Sequence, residues 1–214
     1  MGTQTIIDLL GSAVVFGWMV LMTLQAQTAN SENSRNLKGD LLVQENLVEV
    51  TRLLEYDFRK IGFCNEPNNM PDPTKAILLA DSSRIKFLED VDLTGSGPNG
   101  TIDSVYYYIG PTSELSNTPN PRDRMLYRVI NTQPARGANL GITSFSLAYY
   151  DGAGNKLAMP VTGTNLQKIQ SIQITLSVEN VYAAAVVETA PLNKQYSSAS
   201  WQQMRLSSRN YRNR

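Results

Sequence analysis

The sequence has no histidine, a single cysteine at position 64, and no lysine or arginine before Arg35. Each absence closes a route. Without histidine, Ser-His-Asp and Cys-His nucleophile systems, histidine general bases and Cys/His zinc sites are excluded. A lone Cys64 excludes an intramolecular disulfide and reads as a buried small hydrophobe. Carboxylate or Ser-Lys catalysis is left without a motif, so the chain reads as a non-enzyme. Basic and acidic residues balance at 19 each. No bulk field therefore favours nucleic acid or anionic lipid.

What is present divides in two. Ile6 to Leu24 is an apolar run of about 19 positions in which Asp8 is the one charge. At about 1.5 Å per residue an α-helix of that length nearly spans a hydrocarbon core. A cleaved signal peptide would want a basic start and a small-x-small site, and "MGTQT" and "LQAQTANS" supply neither. A membrane anchor fits the length, but an anchor alone does not explain Asp8. A carboxylate inside an apolar span costs roughly 2.5–3.5 kcal/mol on insertion scales, less near an end, and so calls for a partner. The natural partner near a chain start is an amino terminus. Residues 1–34 are thus expected to form a hydrophobic half with a polar connector, and 35–214 a globular domain.

From Asn36 to Phe63, Leu37, Leu41, Leu47, Val50, Leu54, Phe58 and Ile61 recur at spacings near three and four. That period predicts one apolar face of an α-helix, with Gly62 as its stop. The connector "QTANSENSRN" lacks Pro and Gly, so a single rod of about 85 Å is expected. Beyond Pro73 the pattern changes to short β-branched and aromatic runs broken by turns. Strands are expected over 76–82, 84–91, 102–110, 124–131, 142–151, 166–180 and 200–210. Ile169, Ile172, Ile174 and Leu176 roughly alternate with polar residues, as in a sheet that covers a helix with one face. A long helix followed by antiparallel strands predicts an α+β fold.

"QTIIDLLGSAVVFG" (4–17) resembles the start of type IV pilins and pseudopilins. "LLEYDFRKIGF" and "FSLAYYDGAGN" resemble segments of the larger minor pilins and minor pseudopilins. The resemblance implies a pilin-like α+β fold with a long N-terminal helix, greasy first and then amphipathic against the sheet. It places Asp8 at the acidic position whose carboxylate pairs with the N-terminal amine of an adjacent subunit. It marks Gln4, Thr5, Ile6, Ile7, Leu9, Leu10, Gly11 and Gly17 as assembly residues, the glycines allowing close helix approach. The implied partners are copies of the chain or related pilins in a helical filament; no nucleic acid is expected from the sequence's charge pattern. The implied location is the inner membrane before assembly, then an extracellular or periplasmic filament. The rival is a single-pass anchored envelope binding domain that does not polymerise.

Three loop motifs carry possible chemistry. "GSGPNG" (95–100) fits G-x-G-x-x-G, but Pro98 lies inside it and a strand pattern follows, so a plain loop is expected. "DVDLTGSGPNGTID" (90–103) starts like a calcium loop, with Asp90, Asp92, Thr94 and Asp103 as candidate ligands, although position twelve is Thr101 instead of Glu. Calcium is the one cofactor the sequence suggests. "NGT" (99–101) fits a glycosylation sequon. The tyrosines of "SVYYYIG" and "LAYYDG" are expected to alternate between core and sheet face. The arginines of "RLSSRNYRNR" are expected on a solvated or interfacial terminus.

Overall fold

In a computed structural model of the chain, residues 2–180 and 198–206 are described. One helix, α1 (Gly2–Arg59), runs 58 residues without a break, about 87 Å at the usual rise. The connector at 27–36 is helical throughout, because nothing in it removes a backbone donor or forces a turn. The helix stops where expected. Gly62 has φ +74°, a left-handed conformation that glycine adopts without a Cβ penalty. Its N–H donates to Leu88 O at 2.8 Å, which ties the helix end to the sheet.

The rest is a seven-stranded antiparallel sheet in chain order. Its strands are β1 (Ile77–Ala80), β2 (Arg84–Glu89), β3 (Asp103–Ile109), β4 (Arg124–Ile130), β5 (Arg136–Tyr150), β6 (Ser171–Glu179) and β7 (Ser198–Leu206). The fold is α+β, with α1 laid against one face. Helix burial begins at Gly39 and continues through Val43, Val50, Leu54, Phe58 and Ile61. Phe58 meets Phe87 edge-on at 5.5 Å and Tyr107 at 5.9 Å. Each such side chain contributes about 1.5–3 kcal/mol when fully buried.

Two members of the expected helix face are not buried. Leu37 and Leu41 are each 64% exposed, while Val43 is buried. At about 100° per residue, Leu41 and Val43 point roughly 160° apart, and only Val43 shares the side of Val50 and Leu54.

The strands also differ from expectation at two places. β5 begins at Arg136, six residues before the expected start. "RGANLG" looks like a loop, yet Gly137 lies beneath the Tyr127 ring, where a Cβ would come within 2.6 Å of Cε1. Residues 163–168 form a 3-10 turn, so β6 starts at Ser171. The final expected strand is present to Leu206, and most of the arginine-rich terminus (207–214) lies outside the described residues. The tyrosines alternate as expected. Tyr107 is buried, while Tyr106, Tyr108 and Tyr127 stack on the outer face with centroids 4.9 Å apart.

Candidate functional site

Among the described residues, none packs around the first half of α1. Thirteen large apolar side chains from Ile6 to Leu24 are 40–72% exposed. The span is long and apolar enough to cross a membrane, by length and composition. Its hydroxyls are satisfied within the helix: Ser12 donates to Leu9 O at 2.9 Å, Thr23 to Met19 O at 2.8 Å and Thr28 to Leu24 O at 3.0 Å. A helix so arranged shows few free donors to a low-dielectric neighbour, whether lipid or another helix.

Asp8 departs from that pattern. It lies on the exposed rod beside Ile7 and Leu9. Among the described residues its carboxylate makes no hydrogen bond or ion pair. Gln4, Ile6, Ile7, Leu9 and Leu10 are exposed around it, and Thr5 lies on the same helix. A Cβ at Gly11 or Gly17 would meet nothing within 4 Å. The expected assembly residues therefore share one segment of α1 whose described side chains are exposed.

The expected calcium ligands share one loop, but each is engaged separately. Asp90 accepts from the backbone N–H of Asn65 and Asn99 at 3.0 Å each and of Gly100 at 2.8 Å. Asp92 accepts from the N–H of Thr94, Gly95 and Gly97 at 2.7–3.2 Å. Asp103 accepts from Val91 N–H at 3.2 Å and Asn131 Nδ2 at 2.6 Å. Thr94 Oγ1 accepts a long contact from Ser96 N–H. These carboxylates fold the loop around themselves. Among the described residues, no three His, Cys, Asp or Glu side chains gather as a cation site. Cys64 is buried beside this loop, its thiol 3.3 Å from Gly100 O, and burial raises its pKa.

A buried ionic cluster had no forecast. Asp57, on the buried face of α1, accepts from Tyr107 OH at 2.5 Å and Arg128 Nε at 2.6 Å. Glu89 lies beside it with Oε1 4.0 Å from Arg128 Nη2. Asp57 and Glu89 are 0% and 1% exposed. Burial, and then the Asp57 charge, push the Glu89 carboxyl up to about 9. One signal in the sequence could have found the cluster. Asp57 falls three residues after Leu54 and four before Ile61, on the apolar stripe itself.

No model of a known protein family matches the sequence, and no curated protein matches it. Among solved structures, the chain is similar to a type IV-like pilin from Thermus thermophilus, at 11% identity and a TM-score of 0.44. The match covers 78% of this chain and 96% of that one.

Proposed function

We propose that the chain is a structural, non-enzymatic subunit of a type IV pilus-like filament, assembling through the first half of α1. One observation carries this reading: a rod of exposed apolar side chains with internally bonded hydroxyls bears, near its start, a single carboxylate without a partner among the described residues. The resemblance of "QTIIDLLGSAVVFG" to pilin N-termini supports it. The rod is stored in the inner membrane as a single pass and then packs among copies of itself or related pilins outside it. Each CH₂ withdrawn from water contributes about 0.8 kcal/mol, so the rod leaves lipid only where neighbours cover it. Asp8 sets the axial register, because an unpaired charge in such a bundle is heavily penalised and a neighbouring terminal amine removes the penalty. Repeated head-to-tail contacts of this kind build an open helical polymer. Residues 1–34 form the filament core and 35–214 its outer surface.

Asp8→Ala tests the reading against the anchored, non-polymerising alternative. Surface filaments, seen by negative-stain microscopy of sheared material, should be lost while the protein stays folded and membrane-bound. Filaments that persist unchanged, or purified protein that stays monomeric in detergent with Asp8 facing headgroups, would overturn it. Mass spectrometry of the mature N-terminus identifies the amine that Asp8 meets.

A further inference from the structure

Beneath the C-terminal end of α1, between that helix, the β2–β3 loop and the start of β5, lies a cavity of about 340 Å³. Its charges are sorted by depth. Asp57 and Glu89 form the floor and are sealed, with their unpartnered oxygens Oδ1 and Oε2 out of solvent reach. Asp92, on the wall, has its oxygens turned to three backbone N–H groups. Beside Asp92, the charged groups that line the cavity and keep donors for a ligand are Lys60, Arg128 and Arg136. Arg136 is exposed, and among the described residues its side chain makes no hydrogen bond or ion pair. Arg128 commits its Nε to Asp57 and Tyr107, and its nearest further carboxylate oxygen is 4.0 Å from Nη2. Lys60 donates to Tyr56 OH at 2.7 Å and keeps its other ammonium protons.

The register sharpens this. Arg128 and Arg136 are direct cross-strand partners on β4 and β5. Asp57 already offsets the Arg128 charge, so of this cross-strand pair Arg136 is the cation whose side chain has no counter-charge among the described residues. Guanidinium groups are matched to planar, two-oxygen partners. We propose that this cavity is an oxyanion site, in which Lys60, Arg128 and Arg136 donate to a carboxylate or phosphate group. The group comes either from a small free anion or from an acidic side chain of a second copy.

The test uses the full chain in detergent and isothermal titration calorimetry at neutral pH, with inorganic phosphate and with succinate. One saturable site is expected, with a Kd of about a millimolar, the strength of a few charge-assisted hydrogen bonds. Arg136→Gln should weaken it about tenfold or more, and Arg136→Lys should retain part of it. Unchanged melting of both variants shows that the fold is intact. The proposal is overturned if neither anion saturates by about 20 mM, or if Arg136→Gln binds as tightly as the parent. Sedimentation separates the two sources. Saturating phosphate should dissociate oligomers if a second copy supplies the anion, and leave them unchanged if a free ion does.

Discussion

Asp57 is the residue on which the domain's electrostatics turn. Its carboxylate is fully buried and holds Arg128 through a 2.6 Å ion pair. Removing one partner of such a pair leaves the other charge without compensation, which typically costs about 3–5 kcal/mol. Asp57→Ala should therefore lower stability to chemical denaturation by about that amount. The double variant Asp57→Leu, Arg128→Met should recover much of the loss; if it is as unstable as the single variant, lost packing and not a stranded charge is the cause. Glu89 gives a second prediction, in pH. Its carboxyl titrates near 9 in the folded chain against an ordinary 4.5. Between those values the folded state binds more protons than the unfolded one, so stability falls as pH rises across that window and levels off above it. Asp123 is also raised, to about 6, and the Cys64 thiol is raised from its ordinary 9.0, so the slope belongs to Glu89 between about pH 7 and 8. Glu89→Gln should flatten that slope, measured as denaturation midpoints from about pH 7 to 8. A slope that survives the substitution would place the titrating group elsewhere.

Where α1 meets the sheet, the contact is set by a glycine. A Cβ at Gly39 would collide with the Asn180 side-chain amide, just past the end of β6. Gly39→Val displaces the Asn180 side chain from the helix at the point where helix burial begins. It should cost about 1–3 kcal/mol, the usual penalty of overpacking, read as a lower denaturation midpoint. Gly11→Val, with nothing within 4 Å of the added Cβ, should leave the midpoint where it was. The helix itself was legible in the sequence, because both its apolar run and the three-and-four spacing from Leu47 to Ile61 survive in the fold. The Gly62 stop was legible for the same reason: one residue type, one backbone conformation. Leu37 and Leu41 are exposed because their spacing does not continue into the Val43, Val50 and Leu54 stripe, and spacing alone cannot say which side of the helix the sheet covers. The early start of β5 was hidden because Gly137 owes its place to Tyr127, a neighbour ten residues away. The Asp57–Arg128 pair joins α1 to β4 across 71 positions, and no local pattern reports such a meeting. For Asp8 the reverse holds. Its oddity is local, a charge in an apolar run, and was visible at once.

Across the whole molecule the two halves of α1 answer to different surroundings. From Gly39 onward the helix is fixed by the sheet, while from Gly2 to Ser31 no described side chain is even partly buried. Substitutions in the leading half should therefore act on membrane insertion and assembly and leave the domain's folding alone. Val14→Lys separates these effects. Val14 is 72% exposed in the middle of the apolar run, and a lysine near the centre of a spanning helix costs roughly 2.5–3.5 kcal/mol on insertion scales. Lysine is a good helix former, so the rod itself should persist. Less protein should fractionate with membranes, and filaments should be lost, since the same position would have to enter an apolar bundle. The thermal midpoint of the detergent-solubilised protein should match the parent, because the buried core lies in the domain beyond Gly39. A lowered midpoint would mean that the rod and the domain share packing absent from the isolated chain; undiminished filaments would mean that Val14 faces water in the polymer, and that the leading helix is not its core.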